Sequence, residues 1–154
     1  MKQHHGGVSR FDIDQIAPGL YQGSKPPIGH NLRNEGFDVL VLTAWEHQPP
    51  DELFPGLEVL RVALNDDGFS YTPAERAAAV AMAHQVAERL RANKRVLVTC
   101  YMGWNRSGWV VGHALRLLGA TPRRAVSMVR IGRKNALGNK GFVADIMKSN
   151  DGRS

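Results

Sequence analysis

The chain's only cysteine, Cys100, stands six residues ahead of Arg106 in the stretch VLVTCYMGWNRSGWVVG (96–112). A thiolate is a strong nucleophile, and the planar fork of an arginine can grip two oxygens of a phosphate. The apolar run Val96-Leu97-Val98 reads as a buried strand, and Val111, Leu115 and Leu118 fall on one helical stripe. A loop from a strand into a helix N-terminus aims several backbone N–H groups at one point. The helix dipole adds positive potential there and favours the thiolate. Gly103 lets such a loop turn without a Cβ clash. Tyr101, Met102, Gly103, Trp104, Asn105 and Arg106 are therefore the candidates for holding a phosphate. Cys100 is the candidate for attacking it in line, with a phosphocysteine as intermediate. The competing reading is that a lone cysteine is a small buried hydrophobe. A bare C-x5-R string is a weak signal; the strand before it, Gly103, Ser107-Gly108 and the helix after it make it specific.

A phosphocysteine step needs an acid for the leaving oxygen and then a base for the attacking water. One carboxylate at the same sheet edge can do both, and Asp66 and Asp67 follow an apolar stretch (57–64) that reads as a strand. The string Asn65-Asp66-Asp67-Gly68 is turn chemistry as well, and the two roles are compatible.

The segment Cys100-x5-Arg106-Ser107-Gly108, with Gly103 at its middle, resembles the signature loop of the cysteine-dependent protein tyrosine phosphatases, most closely their dual-specificity branch. That signature usually has His before the cysteine; here the residue is Thr99. The string IAPGLYQGS (16–24) resembles the opening of that branch. The segment Arg133-Lys134…Asn139-x-Gly141-Phe142 resembles its closing part. The resemblance spans roughly 13–146 and implies hydrolysis of phosphomonoesters, phosphotyrosine and phosphoserine/threonine on proteins first, with no cofactor and no metal. It also implies that Asp66 is the general acid, because Val62-Ala63-Leu64-Asn65-Asp66 matches the family register, with Asp67 as the one-residue alternative. Ser107 would hydrogen-bond the thiolate and ease breakdown of the intermediate, and Asn139 would brace the loop. Two other readings compete: a rhodanese-like sulfurtransferase, whose cysteine also sits in a loop over a helix, and a phosphate-binding pseudophosphatase. Asp66 and Ser107 argue against the first, and the intact Cys100 and Arg106 against the second. Low-molecular-weight phosphatases and arsenate reductases share C-x5-R but carry it near the N-terminus.

Composition sets the outer bounds. The length of 154 residues fits one domain, and 43% hydrophobic with 22% charged residues is ordinary for a globular protein. No apolar stretch approaches the roughly 20 residues that cross a bilayer, and the N-terminus lacks the apolar core of a signal peptide. One cysteine allows no internal disulfide, so a reducing cytoplasm is the expected setting. The net charge of +6 is uneven: from Gly119 onward there are eight Lys and Arg against two Asp. A basic C-terminal third suits an anionic substrate. It leaves nucleic acid open as a partner, but no recognised motif or interleaved aromatics favour that.

The expected order begins with a mobile tail (1–9), where His4-His5 has no metal partners at useful spacing. A catalytic domain (10–148) and a frayed tail (149–154) follow. Strands are expected at 11–16 and 20–21 as a short hairpin or edge pair, and at 37–42, 57–64 and 95–99. A short helix is expected at 28–34, ending at Gly36. Thr72-Pro73-Ala74-Glu75 reads as a capping box opening a long helix that Asn93 ends, with Ala79, Ala83, Val86 and Leu90 inward and His84 beside that stripe. Two more helices are expected after Thr121-Pro122 and over 141–147. Alternating strands and helices imply an α/β domain with a mainly parallel sheet and helices on both faces. In such sheets ligands bind at the carboxyl ends of the strands, where Cys100 and Asp66 both fall.

Overall fold

The computed structural model describes residues 10–149. The tail expected at 1–9, with His4-His5, and all but Ser149 of the tail expected at 149–154 lie outside the described residues. Five strands form one sheet: β1 (Ile13–Ala17), β2 (Leu20–Gly23), β3 (Val39–Ala44), β4 (Glu58–Leu64) and β5 (Val96–Thr99). Their order is β1-β2-β5-β3-β4. β2, β5, β3 and β4 run parallel, and β1 closes one edge as an antiparallel hairpin with β2. Only β1 of that hairpin is an edge strand; β2 lies inside the sheet.

The period-two alternation of the strands builds two cores. Val39, Val41, Val96 and Val98 face one side with Leu20 and Leu64. Leu40, Leu42, Leu97 and Tyr21 face the other. The first side carries the long helices: α2 (Pro73–Arg91), α3 (Arg106–Leu117), α4 (Pro122–Gly132) and α5 (Lys140–Lys148). The second is covered by α1 (Asn31–Asn34), a 3-10 turn (Asp51–Leu53) and the side chains of Leu32, Phe37 and Phe54. β3 is buried along its whole length, as an apolar run between two covered faces must be. β4 is the exposed edge and alternates accordingly.

Local signals act as their chemistry dictates. Thr72 and Glu75 exchange both capping-box bonds at the start of α2, and Asn93 takes a φ of 62° just past its end. Three expectations are corrected. α1 is confined to Asn31–Asn34, because Gly29 takes a φ of 89° and turns the chain just before it. Leu118 caps α3 and is exposed, so the inward stripe ends with Leu115. His84, expected to be partly buried beside the apolar stripe, is exposed on the outer face of α2. Ser149, expected at the start of a frayed tail, receives two bonds from the Arg116 guanidinium.

Under α3 lies a buried charge. The Asp145 carboxylate accepts from His113 Nε2 (2.7 Å), Trp109 Nε1 (2.8 Å) and Arg76 Nε (2.7 Å), tying α2, α3 and α5 together. Trp109 stacks on Phe142 with ring centroids 3.9 Å apart. Burial pushes the Asp145 carboxyl up, but the bonds from His113, Arg76 and Trp109 outweigh it and hold the group well below the usual carboxylate range. The stability this contributes is present above the unfolded carboxyl value of 3.8 and is lost as pH falls below it. Asp145→Ala leaves His113 and Trp109 buried without their acceptor, so it is expected to lower unfolding free energy by about 3–5 kcal/mol in urea melts at pH 7. A loss below 1 kcal/mol would contradict this account of the cluster.

Candidate active site

β5 delivers Cys100 to the carboxyl edge of the sheet, where Gly23 and Leu42 flank Thr99 on the neighbouring strands. The Thr99 hydroxyl donates to the Val41 carbonyl at 3.0 Å, and Thr43 Oγ1 donates to the Thr99 carbonyl at 2.8 Å. Thr99 thus fastens the strand end, and its hydroxyl is directed to the sheet. Cys100 is buried, with Sγ 3.3 Å from Ser107 Oγ on the first turn of α3.

Every carbonyl of the loop between them has a partner outside the loop's own curve. Tyr101 O accepts from Lys25 N, Trp104 O from Leu137 N and Asn105 O from Trp109 N. Met102 O accepts from Arg133 Nη2. Gly103 O accepts from both Arg133 Nε (2.7 Å) and Gln22 Nε2 (2.9 Å). A trans peptide points its N–H opposite its C=O. Fixing these carbonyls outward therefore turns the N–H groups of Met102 through Arg106 the other way, into a cup with Cys100 at its base. Arg133 is itself buried and held by Asp12 and Asp14, and its guanidinium holds the Asp12 carboxyl below the usual range.

Gly103 has a φ of 79°, and a Cβ there would lie 2.4 Å from the Gly23 carbonyl carbon and 2.7 Å from Arg133 Nη2. The close approach and the left-handed backbone both require glycine. Gly103→Ala is expected to lose about 1–3 kcal/mol of unfolding free energy; a variant as stable as the parent would show that the loop has another shape.

Arg106 is buried and faces two ways. Nη1 and Nη2 donate to Glu46, the latter at 2.8 Å, and Nη1 also donates to the Leu64 carbonyl at 3.1 Å. Its Nε is buried and has no partner among the described residues. The Nε edge is therefore the edge that can meet a ligand, while the opposite edge is locked. Hydrogen bonding to the guanidinium holds the Glu46 carboxyl below its usual range.

Asp66, two residues past β4, is brought to the cup by two asparagines. Oδ2 accepts from Asn105 Nδ2 at 2.9 Å and Oδ1 from Asn139 Nδ2 at 2.7 Å. Asn139 N also donates to Asn105 Oδ1, and Asn139 Oδ1 caps α5 by accepting from Phe142 N. The asparagine thus joins the acid-bearing loop, the cup and α5. Phe69, farther along that loop, is packed so closely on α5 that a Cβ at Gly141 would meet its carbonyl oxygen at 2.3 Å. Asp67 is exposed. Among the described residues no three His, Cys, Asp or Glu side chains converge as metal ligands.

The structure therefore brings together Cys100, the loop from Tyr101 to Asn105, Arg106, Ser107, Asp66 and Asn139. Sequence reasoning passed over Glu46, Gln22 and the reach of Arg133. Glu46 sits in a proline-rich loop with no periodicity to mark it. Gln22 left one signal: a polar residue inside a short strand that is otherwise apolar or glycine.

The arrangement offers a nucleophile below converging donors, a carboxylate at the rim and one free guanidinium edge, which suits transfer of a tetrahedral oxyanion. No protein-family model matches the chain, and no curated protein sequence does. Solved structures do. Human DUSP28 is 28% identical over 92% of this chain and 93% of its own, with a TM-score of 0.75. A mouse putative dual specificity phosphatase, solved in complex with zinc tungstate, is 23% identical over 92% and 89%, with a TM-score of 0.74. Tk-PTP in its active form is 22% identical over 93% and 98%, with a TM-score of 0.73.

Proposed function

We propose that this dual-specificity-phosphatase-like chain hydrolyses phosphomonoesters through a phosphocysteine, with phosphotyrosine and phosphoserine/threonine on proteins as its first substrates. The observation that carries the reading is the outward fixing of the loop carbonyls around Cys100. It builds a cup of N–H donors for the transferred phosphoryl group before any substrate arrives. The likeness to DUSP28 and the other phosphatase structures supports the same reading.

In this mechanism the phosphate dianion sits in the cup with two oxygens on the Nε edge of Arg106. Cys100 Sγ attacks phosphorus as the ester P–O bond breaks, and Asp66 gives its proton to the departing oxygen. Asp66 then takes a proton from water, which attacks the phosphocysteine, and Ser107 donates to Sγ as it leaves. Phosphate departs and the thiolate is restored. A rhodanese-like sulfurtransferase leaves the carboxylate of Asp66 without a task, and a pseudophosphatase leaves the thiol, the hydroxyl of Ser107 and Asp66 aligned for nothing.

The reading is tested by turnover, in the presence of a metal chelator, on phosphotyrosine and phosphothreonine peptides, phosphoinositides in vesicles and RNA 5′-triphosphate. Release of phosphate from the peptides is expected; sulfur transfer from thiosulfate to cyanide without phosphate release would overturn it. A reducing compartment such as the cytoplasm fits a nucleophile of this kind. No helix of the described residues is long and apolar enough to cross a membrane.

Oxidation offers a further check. Peroxide converts the Cys100 thiolate to a sulfenic acid. The Tyr101 amide nitrogen is the adjacent group that can displace water from it to give a cyclic sulfenamide. Brief peroxide treatment is expected to abolish turnover, and dithiothreitol to restore it; full activity after peroxide, with Cys100 still alkylated by iodoacetamide, would contradict the thiolate.

A further inference from the structure

Scattered exposed apolar side chains are normal on any protein, but their concentration around one site is not. Four large ones lie on the three loops that leave the carboxyl ends of β3, β4 and β5. They are Trp45 (59% exposed), Phe69 (75%), Tyr101 (45%) and Met102 (46%). Backbone contacts place each at this edge of the sheet. Trp45 N donates to the Leu64 carbonyl, which also accepts from Arg106 Nη1, so Trp45 stands on the arginine's side. Tyr101 and Met102 belong to the loop itself, and Lys25 Nζ lies 4.7 Å from the Tyr101 ring centroid. Phe69 follows Asp66 by three residues and is held against Gly141. Acidic side chains are interleaved with them: Glu46 after Trp45, and Asp66 and Asp67 on the loop of Phe69.

We infer that this rim selects phosphopeptides that carry bulky apolar residues beside the phosphorylated residue. The inference rests on the phosphatase reading and narrows it. Extended flanks of a peptide seated in the cup must pass over the rim. There, apolar side chains would cover Trp45 and Phe69 and remove apolar surface from water on both partners. Glu46 is paired with Arg106 and Asp66 carries its proton when substrate binds, so it is the exposed Asp67 beside Phe69 that disfavours acidic flanks and an anionic bilayer.

The test compares kcat/KM on three phosphotyrosine peptides flanked by leucines, by serines or by glutamates, with p-nitrophenyl phosphate and a phosphoinositide in phosphatidylcholine vesicles alongside. The leucine peptide is expected to exceed the serine peptide by about tenfold, the return for covering part of two aromatic side chains. The glutamate peptide should be the poorest. The double variant Trp45→Ser/Phe69→Ser should bring the leucine-to-serine ratio towards one; both residues are exposed, and turnover of the serine peptide by the variant controls for its fold. Equal rates on leucine and serine peptides would overturn the inference, as would preference for glutamate flanks, a ratio unchanged in the double variant, or faster hydrolysis of the vesicle lipid. In each of those cases the phosphatase reading stands. Failure to hydrolyse any substrate, p-nitrophenyl phosphate included, would overturn that reading and the inference with it.

Discussion

Cys100→Ser is expected to lower kcat on any phosphomonoester by on the order of 10⁶-fold, the scale of loss when a catalytic nucleophile is removed. A serine hydroxyl at this position has no general base to activate it: the neighbour of Sγ is another hydroxyl, Ser107 Oγ at 3.3 Å. Binding of phosphate or tungstate should survive. The donors that face the cup are set by Arg133, Gln22, Lys25 and Leu137 acting on the loop carbonyls, and none of those bonds passes through Sγ. Calorimetric titration with tungstate beside steady-state kinetics separates the two effects. Near-normal turnover in the variant would place the nucleophile elsewhere; loss of oxyanion binding together with activity would show that the thiolate holds the cup open.

Asp66→Asn is expected to cost about 10²–10⁴-fold in kcat on an alkyl or tyrosyl phosphate, the usual return of a positioned general acid. The Asn105 and Asn139 amides hold both oxygens of the carboxylate beside the cup. The loss in kcat/KM should shrink on p-nitrophenyl phosphate, whose leaving oxygen needs little protonation, while kcat on that substrate becomes limited by hydrolysis of the phosphocysteine. The basic limb of the pH profile should flatten, because the group that must stay protonated is gone, and the acidic limb should remain. Asp66 and Asp67 are both exposed, but the two asparagines hold Asp66, so Asp67→Asn should change kcat by only a few-fold. A larger loss at Asp67 than at Asp66 would move the acid by one residue; equal small losses would remove it from this loop.

Much of the site was legible because its signals are local. The strand Val96–Thr99, the spacing from Cys100 to Arg106 and the helix that follows lie within one stretch of chain, and each piece reports its own conformation. Asp66 was legible for a related reason: its place just past a strand in a parallel sheet fixes the edge it must occupy. What stayed hidden is pairing across the fold. Glu46 reaches Arg106 across 60 residues, and Arg133 reaches the carbonyl of Gly103 across 30. Neither contact leaves a period or a composition shift. Arg133 read only as part of a basic C-terminal third and of the closing segment, yet it is buried and two aspartates from the opposite end of the chain neutralise it. The Asp145 cluster was missed for the same reason, since its members are spread over three helices. Leu118 was misplaced because a helical stripe read from sequence does not say which turn is the last.

The central claim is a covalent phosphoryl group on Cys100. Asp66→Asn offers the best chance of seeing it. With p-nitrophenyl phosphate the first step needs little acid, while the second lacks its base, so the intermediate accumulates. Rapid quenching of this variant into denaturant, followed by mass spectrometry of its peptides, is expected to find one phosphoryl group on Cys100 after a burst of p-nitrophenol equal to the enzyme present. A phosphoryl group on Ser107 or any other residue, or an unmodified Cys100 after such a burst, would contradict the account.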